Sequence, residues 1–149
     1  MTTHTDDFAI RALVHRLFRA LDVREFAPGW MDDFLAPDAR METPVGTAEG
    51  VEAVRSTEEA LLRFTRTQHL ASGILTDVDT GAGRASASWN ALMIHVHADG
   101  TRFTVGGHYT ADLHRTPAGW RFGRVTVIPV WTEGRPPALS APKTVADAG

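Results

Sequence analysis

Cysteine is absent from the 149 residues. That excludes disulfides, a thiolate metal site and a cysteine nucleophile. An excess of basic charge is missing as well, the formal net charge being −3. Binding to a phosphate backbone needs a basic face, so nucleic acid is not expected as a partner. No apolar run approaches the length of a membrane span, and Met1 to Asp7 lacks the basic region and apolar stretch of a signal peptide. No membrane partner is expected, and a cytoplasmic protein is the default. Internal repeats are also absent. The length suits one domain, large enough to bury a core without staples.

What is present changes period along the chain. Asp6 to Leu21 reads as a helix, with Phe8, Leu13, Leu17, Phe18 and Leu21 at helical spacing. Pro28 is expected to open a short second helix with Trp30, Met31 and Phe34 as its apolar face. Ala36-Pro37-Asp38 reads as a turn, Ala39 to Thr43 as a short extended stretch, and Gly50 to Phe64 as a third helix. The second half is β-like: Thr67 to Asp77, Arg84 to His97, Arg102 to Arg115 and Gly119 to Trp131. The turns between them are short and Gly-rich, which makes the strands antiparallel neighbours. Helices first and a strand meander afterwards give an α+β domain with the helices on one sheet face. It is expected to span residues 6–133, with the Pro-, Ala- and Gly-rich residues 134–149 as a disordered tail.

Alternation sorts the strand residues by face. Trp89, Ala91, Met93, His95 and His97 share one, and His108, Thr110 and Asp112 share one in the next strand. Without bulges both sets can line one pocket; a bulge would flip one of them. Trp89, Met93, Val125, Val127, Pro129 and Trp131 are the apolar candidates for its wall, and the two tryptophans can stack on a flat ligand. Val125, Val127, Pro129 and Trp131 share a parity opposite to Trp120, Phe122 and Arg124. Leu92, Ile94, Val96 and Phe122 then fall on the opposite, outer face. Helices can cover only one face, so a homodimer packed through the outer one is expected. His95-x-His97 with His108 and Asp112 also invites a metal reading, but the same spacing suits two histidines near the Asp99-Gly100 turn. No metal is assigned.

Ala20-Leu21-Asp22 ends the first helix, and Thr67-Gln68-His69 opens the first long strand. Gly107-His108-Tyr109-Thr110-Ala111-Asp112-Leu113-His114 follows, then Gly119-Trp120-Arg121-Phe122 and a terminal Trp131. In this order and spacing the chain resembles the nuclear transport factor 2-like superfamily, in its SnoaL-like and scytalone dehydratase branch, from about Asp6 to Glu133. The resemblance implies a cone: a curved antiparallel sheet wrapped around the N-terminal helices, with an open-ended pocket. It implies that Asp22 and His69 form a carboxylate–imidazole dyad, and that His95 stands at the branch's second catalytic histidine, with His97 close enough to compete. Thr110 and Asp112 match pocket-lining polar positions. The branch's carbonyl-holding tyrosines fall at Leu21 and Thr43, so the same substrate is not expected.

A carboxylate bonded to one imidazole nitrogen fixes the tautomer and raises the basicity of the other. An anion at a helix C-terminus is unfavourable, which points to a specific reason for Asp22. The catalytic candidates are therefore Asp22, His69, His95 and His108. Trp89, Met93, Thr110, Asp112, Val127, Pro129 and Trp131 are the substrate-binding candidates. The expected function is cofactor-free acid–base chemistry on a polycyclic or polyketide-like small molecule, as a dehydratase, isomerase or cyclase. The alternative is a non-catalytic binding or interaction module of the same fold. Opening of an epoxide would need two carboxylates and an arginine, and alternation does not bring Asp112 together with Arg102 or Arg121.

Overall fold

Ile10, Leu13, Val14, Leu17, Phe18 and Leu21 recur every three or four residues and form one buried stripe. The computed structural model, which describes residues 3–138, places them on helix α1, Thr3–Val23. Phe8 was expected in this stripe but is 73% exposed. It lies nine residues before Leu17, half a turn out of phase at about 100° per residue. Asp22 and Val23 follow the last buried leucine, and Arg24 ends the helix in the left-handed conformation at φ 64°.

The expected second helix is not formed. Ala27 to Phe34 makes successive tight turns, with Trp30 N–H on the Ala27 carbonyl, Asp32 on Gly29 and Phe34 on Met31. Gly29, at φ 81°, breaks any helical run here. Ala36-Pro37-Asp38 is not a turn either: it lies within strand β1, Leu35–Thr43. The ladder from β1 to its neighbour is broken between Leu35 and Arg40, and Pro37, which has no N–H to give, sits in that gap. Pro44 and Val45 turn the chain into β2, Gly46–Glu49, a four-residue strand too short for its alternation to show in the sequence. Helix α2 runs Val51–Leu62.

Four long strands follow: β3 Arg66–Asp79, β4 Arg84–Val96, β5 Arg102–Thr116 and β6 Gly119–Gly134. The sheet order is β2-β1-β6-β5-β4-β3, all antiparallel except for β1 beside β6. The result is two helices and a curved, unclosed six-stranded sheet. Its inner face meets α1: the Phe18 ring lies 5.3 Å from Tyr109 and 6.1 Å from Trp89, and Trp89 stacks on Tyr109 at 5.2 Å.

Two irregularities in β6 overturn its expected alternation. Asp112 pairs with Arg124 but Leu113 with Phe122, so Gly123 is an extra residue. Phe122 and Trp120, expected on the outer face, therefore join Val125 in the core. Gly106 pairs with Trp131 but Gly107 with Pro129, so Val130 is extra. Trp131 is turned onto the outer face, where it covers Gly106 so closely that no Cβ would fit. The same face carries Leu92, Ile94 and Val96, all partly exposed, and neither helix covers it.

Polar side chains fasten α1 to the sheet ends. Asp6 accepts from Trp120 Nε1 at 3.1 Å, Arg115 at 2.7 Å and Thr80 Oγ1 at 3.2 Å. Arg11 gives a hydrogen bond to the Ile74 carbonyl. Gly134, placed in the expected tail, instead closes β6, and the Arg135 carbonyl accepts from His97 Nε2 at 2.7 Å. Residues 139–149 of that tail lie outside the described residues. No described helix is long and apolar enough to cross a membrane.

Arg24 supplies a further link. Its guanidinium donates to the carbonyls of Leu61 at 2.5 Å, Thr65 at 2.6 Å and Phe64 at 2.9 Å, at and just past the C-terminal end of α2. Arg24→Ala should cost roughly 1–3 kcal/mol in urea unfolding, the range for losing charged hydrogen bonds. Arg24→Gly should cost less, because glycine tolerates the positive φ. Equal unfolding midpoints for wild type and Arg24→Ala would count against this cap.

Candidate active site

The last turn of α1 delivers Asp22 to the free edge of β3. Its Oδ2 accepts the His69 main-chain N–H at 2.8 Å. Its Oδ1 accepts the Thr67 hydroxyl at 3.0 Å and the His69 ring N–H, Nδ1, at 2.6 Å. The carboxylate thus satisfies an edge strand and fixes an imidazole at once. Burial raises the Asp22 carboxyl, but the bonds from the His69 ring and main chain, the charge of His69 and the Thr67 hydroxyl outweigh it. They hold Asp22 below the ordinary carboxylate range. The His69 side chain is only 4% exposed and packs against Phe18 at 5.3 Å. With Nδ1 donating to a carboxylate, Nε2 is the free, basic nitrogen.

His95 lies on the same inner face, its ring 6.1 Å from that of His69 and edge-on to it. Its Nδ1 donates to the Phe103 carbonyl at 2.9 Å, so its Nε2 is free as well. Burial is the main influence on His95 and pushes it below the ordinary histidine value; His69 and His97 add to this, and the Phe103 carbonyl only partly opposes it. His97 is buried, but its Nε2 is spent on the Arg135 carbonyl, so the two histidines do not chelate together. Among the described residues no three His, Asp or Glu side chains are grouped to hold a metal.

His69 and His95 both line a chamber of about 370 Å3 between α1, α2, the β1–β2 hairpin and the sheet. Met93 and Val127, expected in the wall, line it. Trp89 is not in the lining; it is packed in the core beneath, stacked on Tyr109. Pro129 shares the inner register but lies beyond the chamber, exposed, and Trp131 is on the outer face.

His108, Thr110 and Asp112 are a correction. They pair with Asn90, Ser88 and Ser86, not with the row that holds Trp89, Met93 and His95. The ladder between β4 and β5 has no bulge. Its register, set by the turn at Ala98 to Thr101, puts odd-numbered residues opposite odd-numbered ones. His108, Thr110 and Asp112 therefore face outward, and Tyr109, Ala111 and Leu113 face the core. The signal was in the sequence: the second of these two sets is the apolar one.

Sequence reasoning missed the far wall. Met41 and Thr43 on β1, Val45 in the hairpin, and Ser56, Thr57 and Leu61 on α2 all line the chamber. So does Tyr109, whose hydroxyl is turned to Met93 Sδ at 3.4 Å and whose acidity burial suppresses further. Leu21 and Thr43, where the resembling branch has tyrosines, line it too. The chamber keeps those positions and lacks their phenols.

A family model described as a SnoaL-like domain matches residues 2–126. The chain belongs to this SnoaL-like family. Solved structures share the fold. A scytalone dehydratase candidate from Novosphingobium aromaticivorans is 21% identical with a TM-score of 0.80, covering 98% of each chain. A nuclear transport factor 2-like protein from Salmonella enterica is 18% identical with a TM-score of 0.77, covering 99% of each. A hexachlorocyclohexane dehydrochlorinase, LinA type 2, is 16% identical with a TM-score of 0.74, covering 92% of this chain and 93% of its own. A comparison with curated proteins finds no match.

The site sets a two-part acid dependence. Burial disfavours the charged form of His95 when folded, whereas an unfolded histidine protonates at about 6.5. Stability should therefore fall as pH drops from that value toward the folded one, because the unfolded state binds the extra proton. Asp22 is held low, so its contribution is complete above the ordinary carboxylate value and is lost as pH falls through its folded value. In urea unfolding from neutral to acid pH, Asp22→Asn should remove only the lower part. NMR should titrate His95 below about 6.5; a midpoint at or above it would contradict the burial.

Proposed function

We propose that the chamber is the active site of a cofactor-independent acid–base enzyme, a dehydratase, isomerase or cyclase, acting on a polycyclic or polyketide-like small molecule. One observation carries this reading: Asp22 holds the His69 ring at 2.6 Å by Nδ1, leaving Nε2 as a base beside an apolar chamber. His69 Nε2 would take a proton from a carbon next to an electron-withdrawing group. The electron pair left on that carbon expels a neighbouring hydroxyl, shifts a double bond or closes a ring. The proton held on Nε2 returns to the departing oxygen or to another carbon. Asp22 stabilises the imidazolium in between and is not itself protonated. Among relatives of the fold, a dehydratase candidate and a dehydrochlorinase are in keeping with such eliminations.

A second reading has its own support. Asp22 also binds the His69 N–H and the Thr67 hydroxyl, a structural task that a non-catalytic binding module would equally need. The two separate in mutants, once a substrate is found by screening hydroxylated polycyclic ketones for elimination or proton exchange. His69→Ala should lower turnover by roughly a hundred- to ten-thousand-fold, and Asp22→Asn nearly as much. The double mutant should be little worse than His69→Ala alone. Turnover should survive prolonged chelation. If folded His69→Ala keeps more than about a tenth of the rate, His69 is not the base.

We also propose a homodimer through the outer sheet face, where Leu92, Ile94, Val96 and Trp131 remain partly exposed. Light scattering at micromolar concentration should give twice the 16.2 kDa chain mass, and Ile94→Asp should halve it. A wild-type monomer would refute the interface.

A further inference from the structure

All but one of the chamber's polar side chains share a property that no single residue reveals: their protons are already given away. His69 Nδ1 donates to Asp22 and His95 Nδ1 to the Phe103 carbonyl, so each imidazole offers the chamber only a lone pair on Nε2. On α2, the Thr57 hydroxyl donates to the Ala53 carbonyl at 2.8 Å and the Ser56 hydroxyl to the Glu52 carbonyl at 2.7 Å. Thr57 Oγ1 also lies 3.6 Å from Met41 Sδ, a weaker acceptor than the carbonyl that holds its proton. The Thr43 hydroxyl donates to the Gly46 carbonyl at 3.2 Å. The Tyr109 hydroxyl, buried, donates to Met93 Sδ. Only Thr47, exposed on β2, makes no side-chain bond among the described residues and can turn either way. Among the described residues no Arg, Lys, Asp or Glu lines the chamber.

A hydroxyl has one proton and accepts once it has spent it. The bound side chains therefore form an acceptor-only surface inside an apolar wall. From this, and resting on the reading of the chamber as a small-molecule site, we infer that it selects a neutral ligand that brings its own donors, a phenol or alcohol on a bicyclic or larger apolar frame. A hydroxyl directed at His69 Nε2 or His95 Nε2 meets a lone pair. A ketone or ether oxygen on a ligand that has no hydroxyl of its own meets another lone pair everywhere except at exposed Thr47, and loses its hydration largely without replacement. A carboxylate or phosphate is excluded more strongly, because no cation awaits it.

Binding tests this without any turnover. In isothermal titration calorimetry on the full chain, 2-naphthol should bind at least about tenfold more tightly than 2-methoxynaphthalene and 1-tetralone, in proportion to one buried hydrogen bond. 2-Naphthoate should show no binding. His95→Leu and His69→Leu, each checked for folding by circular dichroism, should narrow the gap between naphthol and ether while leaving the ether's affinity within a few-fold. If the ether or the ketone binds as tightly as naphthol, the acceptor-only selection is wrong and the small-molecule chamber stands. If none of these probes binds, the chamber reading itself falls, and this inference with it. If naphthol binds selectively but no reaction is ever found, the acceptor-only selection stands and the catalytic reading fails alone.

Discussion

Asp22 is a carboxylate placed where helix electrostatics disfavour one, in the last turn of α1. It is held there by three donors from a single strand: the His69 ring, the His69 main chain and Thr67. These bonds cover the open edge of β3, fix the angle at which α1 crosses the sheet, and lock one tautomer of His69. Removing the charge would therefore loosen an edge, a helix and an imidazole together. Structure and proposed chemistry are coupled at one side chain.

The rest of the fold keeps that point in place. Phe18, one turn before Asp22, wedges between His69, Trp89 and Tyr109, so the aromatic core sets the height of the dyad above the sheet. Asp6 holds the other end of α1 through Trp120, Arg115 and Thr80. Arg24 reverses the chain after the dyad and caps α2, the far wall of the chamber. The wall that bears His69 and the wall that faces it thus meet at one arginine.

Electrostatically the chamber is quiet. Its charged partner, Asp22, sits behind His69 and not among the lining residues, and burial disfavours the charged form of His95. Such a site binds through shape and a few directed lone pairs, and fold alone does not decide which molecule it takes. The similar structures fix the architecture; at 21% identity or less they carry no chemistry across.

Local pattern was enough for much of this. Period 3.6 marked α1, strict alternation with short turns marked the meander, and the order of elements carried the family and the pairing of Asp22 with His69. The first two of those signals are contained within a few turns of helix or one strand and its hairpin. What failed required knowledge of a neighbour. Gly29 at positive φ undid a helix that Pro28 seemed to open, and β2 was too short to show a period. Whether His108 or Tyr109 faced inward depended on the pairing of β5 with β4. Whether Phe122 and Trp131 did depended on one extra residue each, Gly123 and Val130, visible only against the partner strand. A single-residue slip exchanges every side chain between the two faces. The sequence by itself therefore determined α1, α2, the four long strands and most of the core helix stripe, while the dyad followed only through the family resemblance. Only the tertiary structure decided which strand residues see the chamber, because facing is a property of two strands in register and not of either one alone.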